Sequence, residues 1–268
     1  MTTDFDAYER DLWAGRAPAY ERGFARLTAY TVGPLLDAAR VTEGTRTLDV
    51  GTGPGPVARE AVRRGAEVTA VDADPLMAET ASRNVPGLDV RVATLPELPF
   101  PDETFDAVVG NFVINHVGEP DAALKELRRV LRPGGRLALT CWRMPGSGAL
   151  GVVGEALDAV GVPWPDDIPT PPFMEHGEPA AFRALVAGAG FADAAVDELD
   201  WTHTADPEYW WETGPQAAVG TNGVIVQRQT PETISRVKAA YDRIMAGYTV
   251  GDGQVALPAH ALLAHGTR

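Results

Sequence analysis

LDVGTGPGPVAREAV, residues 48–62, decides how the rest of this chain is read. Leu48 and Val50 flank a single carboxylate, Asp49, in an apolar run. Glycines follow at 51, 53 and 55, and Pro56 opens an amphipathic run. That is strand, tight turn, helix. Glycine at these positions permits positive φ and removes the Cβ that would hold a ligand away from the backbone. A helix start leaves N–H groups without intrahelical partners, and Pro56 suits the first helical position because the N–H it lacks would be unpaired there. A second stretch, Glu67 to Val71 followed by Asp72, reads as a short β-branched strand ending in an acid. In a doubly wound sheet an acid about 20 residues beyond the glycine loop accepts hydrogen bonds from ribose hydroxyls. Gly51 to Asp72 has that spacing.

Composition narrows the partners. The 268 residues carry a formal charge of −14, so the field of the whole chain repels polyanions and nucleic acid is not an expected partner. With 45% hydrophobic and 22% charged residues the chain is an ordinary globule with room for a substantial core. No window approaches the roughly 18 apolar residues of a membrane span, and the acidic start MTTDFDAYERD is no signal peptide. The single cysteine, Cys141, excludes an internal disulfide and suits a reducing cytoplasm. Five histidines and one cysteine show no metal-ligand spacing, so no metal is expected. None of Ser82, Ser147 and Ser235 lies in a GxSxG context.

Along the chain, apolar periodicity predicts helix over residues 5–32, with Tyr20, Phe24 and Leu27 on one face, and again from Leu35. After the glycine loop, helices are predicted at 56–64, 75–84 and 120–131, and strands at 88–92, 105–110 and 136–142. Strands alternating with helices imply a parallel sheet covered on both faces. From Pro145 the rhythm breaks. Six prolines between 161 and 179 predict a cover loop rather than a regular element. A helix from Ala181, a strand to His203, two helical pieces at 207–211 and 231–246, and a last strand over 255–266 complete the reading.

Four separated blocks stand in order: the loop with Asp49, Gly51, Gly53 and Gly55; Asp72; LPFPDETFDAVVGNFVINHV at 98–117; and LRPGGRLALTCW at 131–142. Over roughly residues 20–145 the chain resembles the class I S-adenosylmethionine-dependent methyltransferases, and within them the quinone-biosynthesis and small-molecule branch. The resemblance implies an α/β fold, a doubly wound, mostly parallel seven-stranded sheet with an inserted helical and loop substrate cover. It divides the chain into an N-terminal helical lid (1–40), a cofactor-binding core (41–145), a Pro-rich cover loop (146–180), a core helix and strand (181–205), a helical cover insertion (206–250) and a final edge strand (251–268). The implied cofactor is S-adenosylmethionine, leaving as S-adenosylhomocysteine. The implied partner is a small-molecule substrate, with neither membrane nor nucleic acid; a homodimer stays open.

Ligands of open α/β sheets bind outside the carboxyl ends of the strands. By resemblance, Gly51, Thr52 and Gly53 approach the methionine end of the cofactor, and Asp49 helps hold its amino acid group. Asp72 takes the ribose, with Ala73 and Met77 beside the adenine. Relatives place an acid on the adenine amino group where this chain has Thr94-Leu95, a departure that leaves Thr94 its hydroxyl and Leu95 its N–H for the task. Asn111 is expected to face the methionine portion or the transferring methyl, and Tyr20 to close over the cofactor from the lid. Methyl transfer is a displacement at an already activated carbon, so alignment and removal of water matter most and a general base is optional. His203 and His176 are the catalytic candidates. His116 stands where relatives carry a structural histidine, and is placed with the substrate residues Trp13, Trp142, Phe173, Met174, Tyr209 and Trp210, whose bulk suits a planar or hydrophobic acceptor.

Three alternatives remain at this stage. A protein of this fold can use the same cofactor structurally, for a cyclisation or rearrangement. An NAD-dependent oxidoreductase shares a glycine loop, but here Pro56 replaces the last glycine of that fingerprint and the downstream blocks differ. A catalytically silent binding module is the third.

Overall fold

The computed structural model describes residues 3–268, in which the expected doubly wound sheet forms from seven strands in the order β3-β2-β1-β4-β5-β7-β6. The strands are β1 (Arg46–Val50), β2 (Glu67–Asp72), β3 (Asp89–Val92), β4 (Phe105–Asn111), β5 (Leu131–Trp142), β6 (Ala192–Ala205) and β7 (Val255–Thr267). The first five run parallel, and β7 is antiparallel to both β5 and β6. From β1 the chain winds outward through β2 and β3, then crosses back to β4 on the other side of β1. The carboxyl ends of β1 and β4 therefore open a crevice at this switch of direction.

Four short helices precede the sheet: α1 (Asp4–Trp13), α2 (Ala17–Arg22), α3 (Phe24–Thr28) and α4 (Val32–Ala38). The helix expected over 5–32 is broken at Gly15, with φ +76°, and at Gly23. Further helices are α5 (Pro56–Arg63), α6 (Pro75–Asn84), α7 (Pro120–Val130), α8 (Val152–Ala159), α9 (Pro179–Gly188), α10 (Pro207–Thr213), α11 (Gly220–Gln227) and α12 (Pro231–Ala246). Leu35 and Leu36 of α4 and Val57 and Ala61 of α5 cover one face of the sheet, against Ala107, Val109 and Ala138. Leu124 and Leu127 of α7, with Phe182 and Leu185 of α9, cover the other. A third core belongs to the cover: Val152 and Ala156 of α8, Trp210, Ile225, Val237 and Tyr241 pack over Val255 and Leu257 at the start of β7.

The structure corrects three expectations. The stretch read as a cover loop, 146–180, contains α8. Val152, Val153, Ala156 and Leu157 bury one helical face against α12 before the first proline of the run, Pro163. The 206–250 insertion gains α11 in a Gly- and Val-rich sequence of low helix propensity, where burial of Ile225 and Val226 overrides the local preference. The last strand is interior, with β6 at the edge. β7 tolerates Pro258 because its pairing with β5 begins only at Ala261, so no neighbour on that side needs the missing N–H. Among the described residues no helix is long and apolar enough to cross a membrane.

Candidate active site

Gly51 and Gly53 both stand in the left-handed region, at φ +65° and +54°. A Cβ at Gly51 would meet Val113 Cγ2 at 2.5 Å, so the loop is packed directly on the turn after β4. At Gly53 a Cβ would find only the edge of the Tyr20 ring, at 3.7 Å, and would project into a cavity. The open side of the loop faces that cavity, which encloses about 1260 Å³. A pocket for one drug-sized ligand is about 300–1,000 Å³, so there is space for two molecules side by side.

The two acids behind the loop differ. Asp72 closes β2 and accepts from Gly53 N–H at 2.8 Å and from Asp74 N–H at 2.9 Å, tying the loop to the second strand. Burial pushes its pKa up to about 6 against the pull of those amides, and the side chain lines the cavity. Asp49 lies beneath the loop with Thr52, whose Oγ1 donates to Asp49 Oδ2 at 2.7 Å. Neither Asp49 nor Thr52 lines the cavity, and Asp49 Oδ1 is buried with no partner. Burial pushes the Asp49 carboxyl up to about 7. An orphaned acceptor under a loop whose outer face is bare backbone fits a ligand with a cationic, hydrogen-bond-donating head.

Ala73, Met77, Thr94 and Leu95 line the cavity together with Asp72. Asn111 lines it too, but its side chain is nearly saturated. Oδ1 accepts from Thr31 Oγ1 at 2.7 Å and Thr140 Oγ1 at 2.6 Å, and Nδ2 donates to Thr28 O at 3.1 Å. It holds the end of the helical segment 24–31 to the sheet and keeps one N–H free. Next to it Phe112 adopts φ +56°, a conformation that costs a non-glycine residue about 1–3 kcal/mol. Its N–H is held by Thr140 Oγ1 at 3.0 Å and its ring stacks on Trp142 with centroids 4.1 Å apart. The strained turn thus sets an aromatic slab in the cavity wall, for both rings line it.

Of the remaining expected residues, Tyr20, Trp13, His116, Trp142, Phe173, Met174 and Trp210 all line the cavity, and Tyr209, His176 and His203 do not. Tyr209 lies outside beneath the Arg26 guanidinium, 5.5 Å from the ring centroid. His176 is packed 5.7 Å from Phe173, behind the wall. His203 is buried on β6 against Trp210, with centroids 4.9 Å apart; desolvation and then the Arg26 charge lower its pKa, keeping it neutral. Both catalytic candidates thus stand off the cavity: His203 is buried on β6 between Tyr30 and Trp210, and His176 ends the short helical turn Pro172–His176 with its ring set against Phe173. His116 is the histidine that does line it. Its Nδ1 lies 2.7 Å from Glu9 Oε2, an oxygen that also accepts from Trp13 Nε1 at 3.0 Å. No motif in the sequence singles out Glu9. The only local hint is that Asp6, Glu9 and Trp13 share one face of α1 at i, i+3 and i+7.

Residues 48–139 match the family described as a methyltransferase domain. The chain is 31% identical over 214 residues to the ubiquinone/menaquinone biosynthesis C-methyltransferase UbiE of Geobacter sulfurreducens, a match covering 69% of this chain and 81% of that one. It is 36% identical over 190 residues to an uncharacterised methyltransferase of Mycobacterium tuberculosis, covering 71% and 70%. A demethylmenaquinone methyltransferase of Renibacterium salmoninarum matches at 35% identity, over 41% of this chain and about half of its own length, 47%. Among solved structures, a phosphoethanolamine N-methyltransferase 2 of Haemonchus contortus, in complex with phosphomonomethylethanolamine and S-adenosylhomocysteine, superposes with TM-score 0.60 at 16% identity, covering 99% of this chain and 60% of that one. The [4+2]-cyclase SpnF superposes with TM-score 0.51 at 20% identity, covering 89% and 80%. At these identities the structural likeness concerns the fold.

Proposed function

The chain belongs to the class I S-adenosylmethionine-dependent methyltransferases, and from that premise we propose that it moves a methyl group to a small, planar or hydrophobic acceptor held beneath the cover. The observation that carries this reading is that one cavity runs from the glycine loop and Asp72 into a space walled by Phe112, Trp142, Trp13, Phe173 and Trp210.

When bound, S-adenosylmethionine supplies a methyl group already activated on a sulfonium. The chain's own residues bind, orient and dry it. Gly51 and Gly53 bring bare backbone to the methionine end, and Asp49, beneath the loop, holds the turn from below through Thr52. Asp72 retains lone pairs for the ribose hydroxyls after its two amide contacts. Ala73, Met77, Thr94 and Leu95 border the adenine space, and Tyr20 closes it from the lid. Helices α1 to α3 and the cover of α8 and α10 to α12 exclude water, which an in-line displacement between oriented partners needs more than it needs charge. The lone, buried Cys141 supports a reducing compartment such as the cytoplasm.

Calorimetric titration tests the cofactor: S-adenosylhomocysteine should bind saturably and NAD should not. The reverse pattern would overturn the assignment. Asp72→Ala should weaken S-adenosylhomocysteine by about 1–3 kcal/mol, roughly 5- to 150-fold, and an unchanged affinity would refute the ribose role. Because the [4+2]-cyclase SpnF has a similar fold, the decisive product assay counts methyl groups: label from S-adenosylmethionine must appear in the acceptor.

A further inference from the structure

The cavity wall also holds a carboxylate and an imidazole that the residues assigned to the cofactor leave unused. Glu9 is 7% exposed, unusual for a glutamate, and its Oε2 takes both the Nδ1 of His116 and the indole N–H of Trp13. With Nδ1 committed as donor to a carboxylate, Nε2 is the nitrogen left with its lone pair. The His116 side chain is one third exposed, 33%, and its exposed part faces the cavity.

The pair is also joined to the cofactor loop. Trp13 stands edge-on to His116 and to Tyr20, both with centroids 5.3 Å apart, and Tyr20 is the first atom group that a Cβ on Gly53 would meet. Gly53, Tyr20, Trp13 and His116 therefore form one continuous wall. Among the described residues His116 is the one imidazole in the cavity lining. Beside it, Asn115 also lines the cavity. The stacked Phe112 and Trp142 supply a flat apolar surface.

We infer that the acceptor is a hydroxylated aromatic ring, and that His116, oriented by Glu9, is the general base that takes the proton from the hydroxyl being methylated. The inference rests on the methyltransferase reading above. The hydroxyl proton passes to Nε2, and the oxygen lone pair forms the new O–CH₃ bond. The electron pair of the breaking C–S bond stays on sulfur as a neutral thioether, and the positive charge ends on the imidazole ring next to the Glu9 carboxylate. Glu9 is a positioning residue that also stabilises the imidazolium, in the manner of a carboxylate behind a catalytic histidine. A mere tie between α1 and the turn at residues 114–116 would need neither a free Nε2 nor the aromatic slab.

The probe is 4-nitrophenol, whose anion alone absorbs in the visible, added to protein saturated with S-adenosylhomocysteine and buffered on the acid side of the phenol's own pKa. Wild type should bind it as the anion; His116→Asn should bind it as the neutral phenol, and Glu9→Gln, which keeps an acceptor for Nδ1–H, should give an intermediate anion fraction. In single turnover with S-adenosylmethionine and simple phenols, His116→Asn should lose about 10²- to 10⁴-fold in transfer rate while S-adenosylhomocysteine affinity and melting temperature stay near wild type. Label on the phenolic oxygen supports the inference. A neutral bound phenol in wild type, no saturable binding of the phenol, an anion that persists in His116→Asn, or label on ring carbon each overturns it. If S-adenosylhomocysteine itself fails to bind wild type, it is the methyltransferase reading that has failed.

Discussion

At the loop end of the cavity Gly53 and Asp72, 19 residues apart, are joined by a backbone N–H; at the other end Glu9 and His116 are joined by side chains 107 residues apart. The first end is made of main chain and its immediate neighbours, two strand termini and a turn with left-handed glycines. The second is assembled from α1, the turn after β4, and the cover helices, each arriving from a different part of the sequence. Backbone recognition of a common cofactor can be encoded locally, because the turn conformation itself is the binding surface. Recognition of an acceptor by side chains needs the tertiary fold to bring them together.

The largest effect should follow from filling the loop's open face. Gly53→Val places a β-branched residue at φ +54° and points its methyls into the cofactor space. Holding an L residue in the left-handed region costs about 1–2 kcal/mol of stability. Affinity for S-adenosylhomocysteine should fall by about 100-fold or more, since a rigid intrusion on that scale exceeds 2.7 kcal/mol of binding. Calorimetry on a variant shown to be folded by its melting curve reads this. If the cofactor still bound normally, the loop end would not be the backbone cradle described here.

Asp49→Asn tests the same end through stability. Burial lifts this carboxyl from 3.8 to about 7, so between those values the folded chain holds a proton that the unfolded chain has released. Stability of the ligand-free protein therefore falls as pH rises through that window, and the full cost stands above it. Asparagine cannot ionise and still offers Thr52 an acceptor. The variant's apo form should thus be more stable above pH 7, on the order of 1–3 kcal/mol, with a flatter slope between pH 4 and 7. Urea melts across that range measure it. An unchanged slope would mean that water or a counter-charge already compensates Asp49.

This contrast also explains what could be read in advance. The doubly wound sheet, the glycine loop and the acid ending β2 were legible because apolar runs, glycines and one carboxylate act within a turn or two of themselves. α8 was not, because the prolines from Pro163 onward mask a helix that ends at Ala159. The interior place of β7 was hidden for a related reason: pairing partners on both sides are non-local, and Pro258 suggests an edge. His203 and His116 illustrate the limit at the site. Both are histidines near the end of a strand, yet one faces Trp210 and the other faces Glu9, and no periodicity in their own segments distinguishes them.

The smallest expected effect lies at the rim, and it sharpens the comparison most cheaply. Met174 sits in the short turn Pro172–His176, lines the cavity and is 43% exposed, so it borders the opening rather than the core. Truncation there removes little buried surface, and Met174→Ala should leave stability within about 0.5 kcal/mol of wild type. An acceptor passing or resting against the thioether loses part of an apolar contact worth about 0.8 kcal/mol per buried methylene, so its KM should rise a few-fold. Cofactor affinity should not move if the rim meets only the acceptor. Initial-rate kinetics at saturating S-adenosylmethionine, paired with S-adenosylhomocysteine titration, separate the two. A shift in cofactor affinity with KM unchanged would mean that the two ends are not independent, and that the cover reaches the adenosyl group rather than the acceptor.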